Sequence, residues 1–123
     1  MVLRSLVSVV DDDESVRESL PDLLNELGYS AQTYASAEEF LASDKVDASA
    51  CLILDIAMPG MSGPDLAREL ARRQKPVPII FITAHGDGKT SSELISEGAI
   101  ACLFKPFSES ALLEALRAAF GRQ

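Results

Sequence analysis

Three aspartates follow apolar runs of the sequence, at positions where their carboxylates can act together. Asp11 and Asp12 come directly after residues 6–10, and Asp55 comes after residues 51–54 and shortly before a Pro-Gly turn. Clustered carboxylates repel one another in a cleft of low dielectric constant, and a hard divalent cation bound through oxygen relieves that repulsion. Because no His or Cys is among these candidate ligands, zinc and copper fit poorly and Mg²⁺ fits best.

A hydroxyl and an ammonium group accompany two further apolar runs. Thr83 ends residues 77–83, and Lys105 follows residues 100–104. A carboxylate beside Mg²⁺ can attack phosphorus while the metal neutralises charge on the transferred phosphoryl group. The set therefore predicts an aspartyl phosphate on Asp55, with Lys105 contacting a second phosphoryl oxygen and Thr83 donating a hydrogen bond to a third.

Short apolar runs alternate with segments of helical spacing along the chain. Five runs are typical of strands, namely residues 6–10, 30–34, 51–54, 77–83 and 100–104. The segments after them carry apolar residues at helical spacing, which predicts five helices. Strands that are apolar throughout and alternate with helices predict an α/β fold with a parallel sheet and right-handed crossovers. The ligand site of such a sheet lies beyond the carboxyl ends of its strands, where the candidate residues are expected.

Length and charge limit the classes of protein that the sequence can represent. At 123 residues we expect a single domain, 1–123, without room for a second folded unit. The net charge of −8 argues against direct binding to nucleic acid or to an anionic membrane. No apolar stretch approaches the roughly 20 residues of a membrane span, so the expected location is the cytoplasm. Cys51 and Cys102 lie in apolar runs without metal-ligand spacing, and both are expected to be buried thiols.

Taken together, these residues make the chain resemble response-regulator receiver domains of two-component phosphorelay systems. The matching motifs are residues 7–13, 54–63 and 104–107, and residues 82–87 are most similar to the FixJ-like branch. The resemblance implies a flavodoxin-like, doubly wound five-stranded sheet of order 2-1-3-4-5 with five helices. FixJ-like receivers are often followed by a DNA-binding output domain, and no such output domain is expected in this chain.

The resemblance also implies a role for each site residue. Asp55 accepts phosphate from a sensor histidine kinase or a phosphotransfer protein. Mg²⁺ is held by Asp12, Asp55 and the backbone carbonyl of Ala57, whereas Asp11 acts largely through water. Phosphorylation draws Thr83 toward the phosphate and rearranges the face made by the fourth helix, the fifth strand and the fifth helix. That face would bind a downstream protein, and the resemblance allows a phosphorylation-dependent dimer as well.

Three positions concern signal output and phosphate lifetime. The family usually has Tyr or Phe three residues before the strand-five Lys, and Cys102 occupies that place here. A cysteine has one short rotor and cannot swing a ring, so the signal must travel through the backbone of residues 83–89 or through another side chain. Ala57 and His85 are two residues after Asp55 and Thr83, and in the family these positions flank the phosphoryl group and tune its lifetime. Ala57 cannot hold a hydrolytic water, whereas His85 is either a water-orienting group or an ordinary surface imidazole.

Two other functions are compatible with the same set of residues. A Mg²⁺-dependent phosphatase with a nucleophilic aspartate also combines Asp, Thr and Lys around phosphate, but it usually needs a second Asp where this chain has Ala57. An interaction module that works without phosphorylation is suggested by Cys102. Dinucleotide binding is disfavoured, because residues 10–13 carry acids in place of a Gly-rich turn.

Overall fold

Five parallel strands form one sheet in the order β2-β1-β3-β4-β5. The computed structural model describes residues 5–84 and 91–121. The strands are β1 (Leu6–Val10), β2 (Ser30–Tyr34), β3 (Cys51–Asp55), β4 (Ile79–Thr83) and β5 (Ala101–Phe104). Each pair of neighbours is parallel, which confirms the predicted sheet and strand order. Strand β4 begins two residues later than predicted, and Pro78, which lacks a donor N–H, directly precedes it.

Five helices connect and follow the strands, as the sequence predicts. They are α1 (Glu14–Glu26), α2 (Ala37–Ala42), α3 (Gly63–Arg72), α4 (Ser91–Ser96) and α5 (Glu109–Phe120). Side chains of Asp13, Ser36, Ser62 and Ser108 accept hydrogen bonds from backbone N–H groups in the first turns of α1, α2, α3 and α5. These caps satisfy donors that have no partner inside the helix, so they define where four helices begin.

The sheet is covered on both faces by separate hydrophobic clusters. Along β3, Leu52 and Leu54 pack with α2, α3 and α4, whereas Cys51 and Ile53 pack with α1 and α5. All four side chains are fully buried, because successive residues of a strand point to opposite faces and helices cover both. The structure thereby explains why the central run is apolar throughout and why its first polar residue, Asp55, stands at the strand's end.

Candidate functional site

Four of the predicted site residues lie at the carboxyl edge of the sheet, and three of them are buried. Asp11 is 0% exposed, Asp55 is 4% exposed and Thr83 is 3% exposed, whereas Asp12 is exposed. The backbone aligns these strand ends, since the N–H of Ile56 donates to the carbonyl of Ile82 at 3.0 Å. Burial of polar groups that are not part of a helix cap or turn is costly, so their concentration makes this edge of the sheet the candidate functional site.

Lys105 brings a cation to this edge from the end of β5. Its Nζ lies 2.9 Å from Oδ2 of Asp11 and 3.8 Å from Oδ1 of Asp55. The lysine is held in place by its own N–H, which donates to the carbonyl of Thr83 at 2.9 Å, and the Lys105–Pro106 peptide bond is cis. The ammonium group and the two carboxylates, predicted to converge from three strands, do so.

Asp11 is held by two residues at the start of α1, one contacting its side chain and the other its backbone carbonyl. Oδ1 of Asp11 accepts a hydrogen bond from the N–H of Asp13 at 2.9 Å, and Nη1 of Arg17 donates to the Asp11 carbonyl at 2.9 Å. The start of α1 therefore orients the Asp11 carboxylate. The N-capping role of Asp13 can be recognised in the sequence. The contact made by Arg17 cannot, because it depends on the geometry of the first helical turns.

The acidic cluster has the ligand chemistry of a hard cation. One carboxylate oxygen from each of Asp11, Asp12 and Asp55 lies within 4.8 Å of the others. Oδ2 of Asp11 is buried and faces the Lys105 ammonium at 2.9 Å, so one cation already lies against the cluster. A single ammonium group does not balance three neighbouring carboxylates. Because all these donors are oxygens, the cluster fits a hard divalent cation better than zinc or copper.

Electrostatics in the cluster shift two ionisable groups. Burial, followed by the negative charge of Asp11, raises the pKa of Asp55 from 3.8 to about 8, although the Lys105 ammonium opposes the rise. Burial by itself lowers the pKa of Lys105, but the close contact with Asp11 and the charges of both aspartates outweigh it and raise that pKa overall. Without a cation, the site therefore favours a charged lysine and disfavours a second buried carboxylate charge.

Comparison with known proteins identifies the family. The chain matches the family described as the response regulator receiver domain over residues 7–117. It belongs to this family. The protein is thus a receiver domain of the response regulators that act in two-component systems, as the motifs at the strand ends predict.

Individual proteins similar to this receiver domain include curated response regulators and solved structures. Nodulation protein W of Bradyrhizobium diazoefficiens is 43% identical over 119 residues, which cover 97% of this chain and 52% of that protein. Transcriptional regulatory protein FixJ of Azorhizobium caulinodans is 40% identical over 116 residues, covering 94% of this chain and 55% of that protein. The crystal structure of FixJ-N aligns with a TM-score of 0.85 at 35% identity, over 99% of this chain and 98% of that structure. The FixJ-like resemblance is confirmed, and the chain spans about half the length of these curated relatives.

The loop after β3 carries Ala57 and is packed tightly against the strand end. Ala57 is exposed, whereas Met58 is only 8% exposed and belongs to the cluster beneath α2, α3 and α4. At the far end of the loop, the N–H of Gly63 donates to the carbonyl of Ile56 at 2.9 Å. The role of Gly63 was missed from the sequence, because a close approach between a helix start and a distant strand leaves no local pattern.

The predicted switch positions differ in how the structure treats them. The Thr83 hydroxyl donates to the carbonyl of Ala84 at 2.9 Å. Cys102 is half-buried and packs at the edge of the cluster beneath α2, α3 and α4, so the expectation of a buried thiol is wrong for this residue. Cys51 is fully buried, and burial raises the pKa of its thiol to about 12, as expected of a structural cysteine. His85 lies outside the described residues, and its proposed part in phosphate lifetime stays a prediction.

In the metal-free receiver domain, the free energy of unfolding is expected to fall as the pH rises from about 4 to about 8. Below 3.8 the Asp55 carboxyl is protonated in the folded and the unfolded chain, but between 3.8 and about 8 it stays protonated only in the folded chain. Asp55→Asn should remove most of this decline and raise the free energy of unfolding near pH 7 by about 1–3 kcal/mol, because Asn is neutral in both states whereas the Asp55 carboxyl must keep in the folded chain a proton that the unfolded chain has lost. Urea unfolding with EDTA at a series of pH values measures the effect, and equal pH slopes for the two proteins would contradict it.

Proposed function

We propose that Asp55 is the phosphoacceptor of this receiver domain and that Mg²⁺ is required for its phosphorylation. The observation that carries the proposal is the position of the Lys105 ammonium, within 3.8 Å of Asp55 and 2.9 Å of Asp11 at the edge where the acidic cluster lies. A nucleophilic carboxylate, a charge that can stabilise a phosphoryl oxygen and a set of oxygen ligands for a cation are the parts that phosphoryl transfer needs.

Mg²⁺ would be held by Asp12, Asp55 and the backbone carbonyl of Ala57, with Asp11 acting largely through water. Supporting this assignment is the cluster of Asp11, Asp12 and Asp55, which offers oxygen ligands within 4.8 Å of one another. When bound, the cation would lower the cost of a second carboxylate charge and neutralise charge on the transferred phosphoryl group.

The chain's own residues have distinct tasks in the proposed transfer. A carboxylate oxygen of Asp55 forms a bond to phosphorus as the donor's bond to phosphorus breaks, and the donor leaves with the bonding electron pair. Lys105 contacts a phosphoryl oxygen and offsets its charge. The Thr83 hydroxyl donates to the Ala84 carbonyl in the unphosphorylated protein and must turn away from it to reach the phosphoryl group. Exchange of this hydrogen bond would couple phosphorylation to the backbone after β4.

The proposed donor is a sensor histidine kinase or a phosphotransfer protein, and we place the exchange in the cytoplasm. In the described part of the chain, no helix has both the length and the apolar character needed to cross a membrane. With a net charge of −8, the domain is proposed to contact no nucleic acid directly and to act through proteins.

The proposed output surface is the face made by α4, β5 and α5. Within the described residues 5–84 and 91–121, the large hydrophobic side chains that are most exposed are Ile95 of α4 at 49% and Phe104 of β5 at 54%. Exposed apolar groups on neighbouring elements are typical of protein interaction sites, which supports a downstream partner or a phosphorylation-dependent dimer at this face. Because Cys102 carries no ring, we infer that the signal reaches the face through the backbone of residues 83–89 or through another side chain.

We propose that the domain is a phosphoacceptor rather than an enzyme that turns over external substrates. A phosphatase with a nucleophilic aspartate remains the second candidate, since Asp55, Thr83 and Lys105 would serve it equally well. It would lack its usual second acid, because Ala57 stands two residues after Asp55. A phosphorylation-independent interaction module, suggested by Cys102, is the third.

The test uses acetyl phosphate, with either Mg²⁺ or EDTA. We expect one phosphoryl group per chain, dependent on Mg²⁺, labile to hydroxylamine and located on Asp55 by peptide mass spectrometry. We expect a chromogenic phosphate ester to give no sustained turnover. Phosphate on a different residue would refute the assignment of Asp55, and repeated turnover of the ester would favour the phosphatase. Unchanged partner binding after modification would favour the interaction module.

A further inference from the structure

A carboxylate of α2 contacts the loop that follows the proposed phosphoacceptor. Glu38 lies in the first turn of α2, and its Oε2 accepts a hydrogen bond from the N–H of Met61 at 3.0 Å. Gly60, with φ of +75°, lies against the same oxygen, and a Cβ at Gly60 would stand 2.7 Å from it. The backbone of the loop tip is therefore shaped around the Glu38 carboxylate.

This contact completes the attachment of a loop that is fixed elsewhere by other means. The loop comprises residues 56–62, begins directly after Asp55 and includes Ala57. Burial of Met58 holds its middle, and the bond from Gly63 to the Ile56 carbonyl holds its end. The hydrogen bond from Met61 to Glu38 connects the tip of the loop to α2, and the two residues are 23 positions apart in sequence.

We propose that Glu38 is a positioning residue of the cation site, which holds the 56–62 loop so that the Ala57 carbonyl stays available as a ligand. The inference rests on the proposed function, in which Ala57 supplies that carbonyl. A backbone ligand has no side-chain rotamer with which to adjust, so its position depends on how the loop is held. A carboxylate that accepts from an N–H makes a charge-assisted bond, and Mg²⁺ tolerates little departure from octahedral geometry. Loss of the tie should therefore weaken cation binding without unfolding the domain.

Three variants test the inference by calorimetric titration with MgCl₂. Glu38→Ala should weaken Mg²⁺ binding by about fivefold to tenfold. Residues that hold metal ligands in place without touching the metal change metal affinity by about tenfold or more, and a contact to a backbone ligand's loop is expected at the low end. Glu38→Gln keeps an acceptor oxygen and should stay within about twofold of the parent protein. Glu39→Ala is the matched control, because it removes the same charge from the neighbouring exposed position of α2 and should also stay within twofold.

A second measurement does not depend on the metal. In metal-free protein, amide hydrogen exchange at Met61 should be faster in Glu38→Ala than in Glu39→Ala. Equal exchange rates in these two variants would overturn the inference, as would equal Mg²⁺ affinities for them or a Glu38→Gln variant as weak as Glu38→Ala. If the parent protein bound no Mg²⁺, the proposed metal site would fail, and equal Met61 exchange would separately show that Glu38 does not hold the loop.

Discussion

Asp55→Asn is expected to abolish phosphate incorporation from acetyl phosphate, with a loss on the order of a hundredfold or more. Asn keeps the size of the side chain but has no carboxylate oxygen with which to bond phosphorus. The variant should fold, because a neutral group in this 4% exposed position removes repulsion from Asp11 and the cost of burying a charge. Intact-protein mass spectrometry after incubation with acetyl phosphate and Mg²⁺ measures the incorporation.

The control for this experiment is Asp44→Asn, which makes the same chemical change at an exposed aspartate just after α2. It should accept phosphate at the rate of the parent protein. Retained labelling of Asp55→Asn at the parent level would show that another residue accepts the phosphate. A loss shared by both variants would instead indicate a general effect of charge.

Gly63→Ala is expected to lower the free energy of unfolding by about 2–4 kcal/mol, because the added methyl group has no space. A Cβ at Gly63 would overlap the Asp55 carbonyl oxygen and lie 3.0 Å from its carbonyl carbon and 3.1 Å from Cα of Ile56. These are backbone atoms, so the clash can be relieved only by moving the start of α3 away from the end of β3. The same movement should slow phosphorylation, since it shifts the strand end that carries Asp55.

Gly28→Ala provides the comparison for Gly63→Ala. Gly28 has φ of +99°, and apart from its chain neighbours no atom of the residues that the structure describes lies within 4 Å of an added Cβ. Its substitution therefore costs backbone strain without a clash, about 1 kcal/mol. Urea unfolding of both variants gives the two free energies, and acetyl phosphate labelling gives the effect on the site. A Gly63→Ala variant as stable as Gly28→Ala, with a normal labelling rate, would contradict the proposed close approach.

Most of the residues that meet at the site could be predicted from the sequence. Asp11, Asp55 and Lys105 each stand at or directly after the end of an apolar run, and parallel strands place such ends at one edge of the sheet. The sequence places the end of β4 at Thr83, but the hydroxyl there donates to its neighbour Ala84, which no pattern of residue types indicates. The glycines after helices also differ in conformation: Gly28 and Gly98 have the positive φ typical of a helix end, whereas Gly121 after α5 has φ of −84°.

Residue types and their spacing determined the strands, the parallel sheet and the set of chemical groups at its edge. The alternation of apolar runs with helical segments, and the length of each run, are local properties of the chain. Tertiary structure decided how those groups are held. The pairing of Lys105 with Asp11, the close approach of Gly63 to Asp55 and the tie from Glu38 to Met61 join residues far apart in sequence. Such contacts depend on distances of a few ångströms between elements whose separation is set by packing of the whole core, which local spacing does not encode.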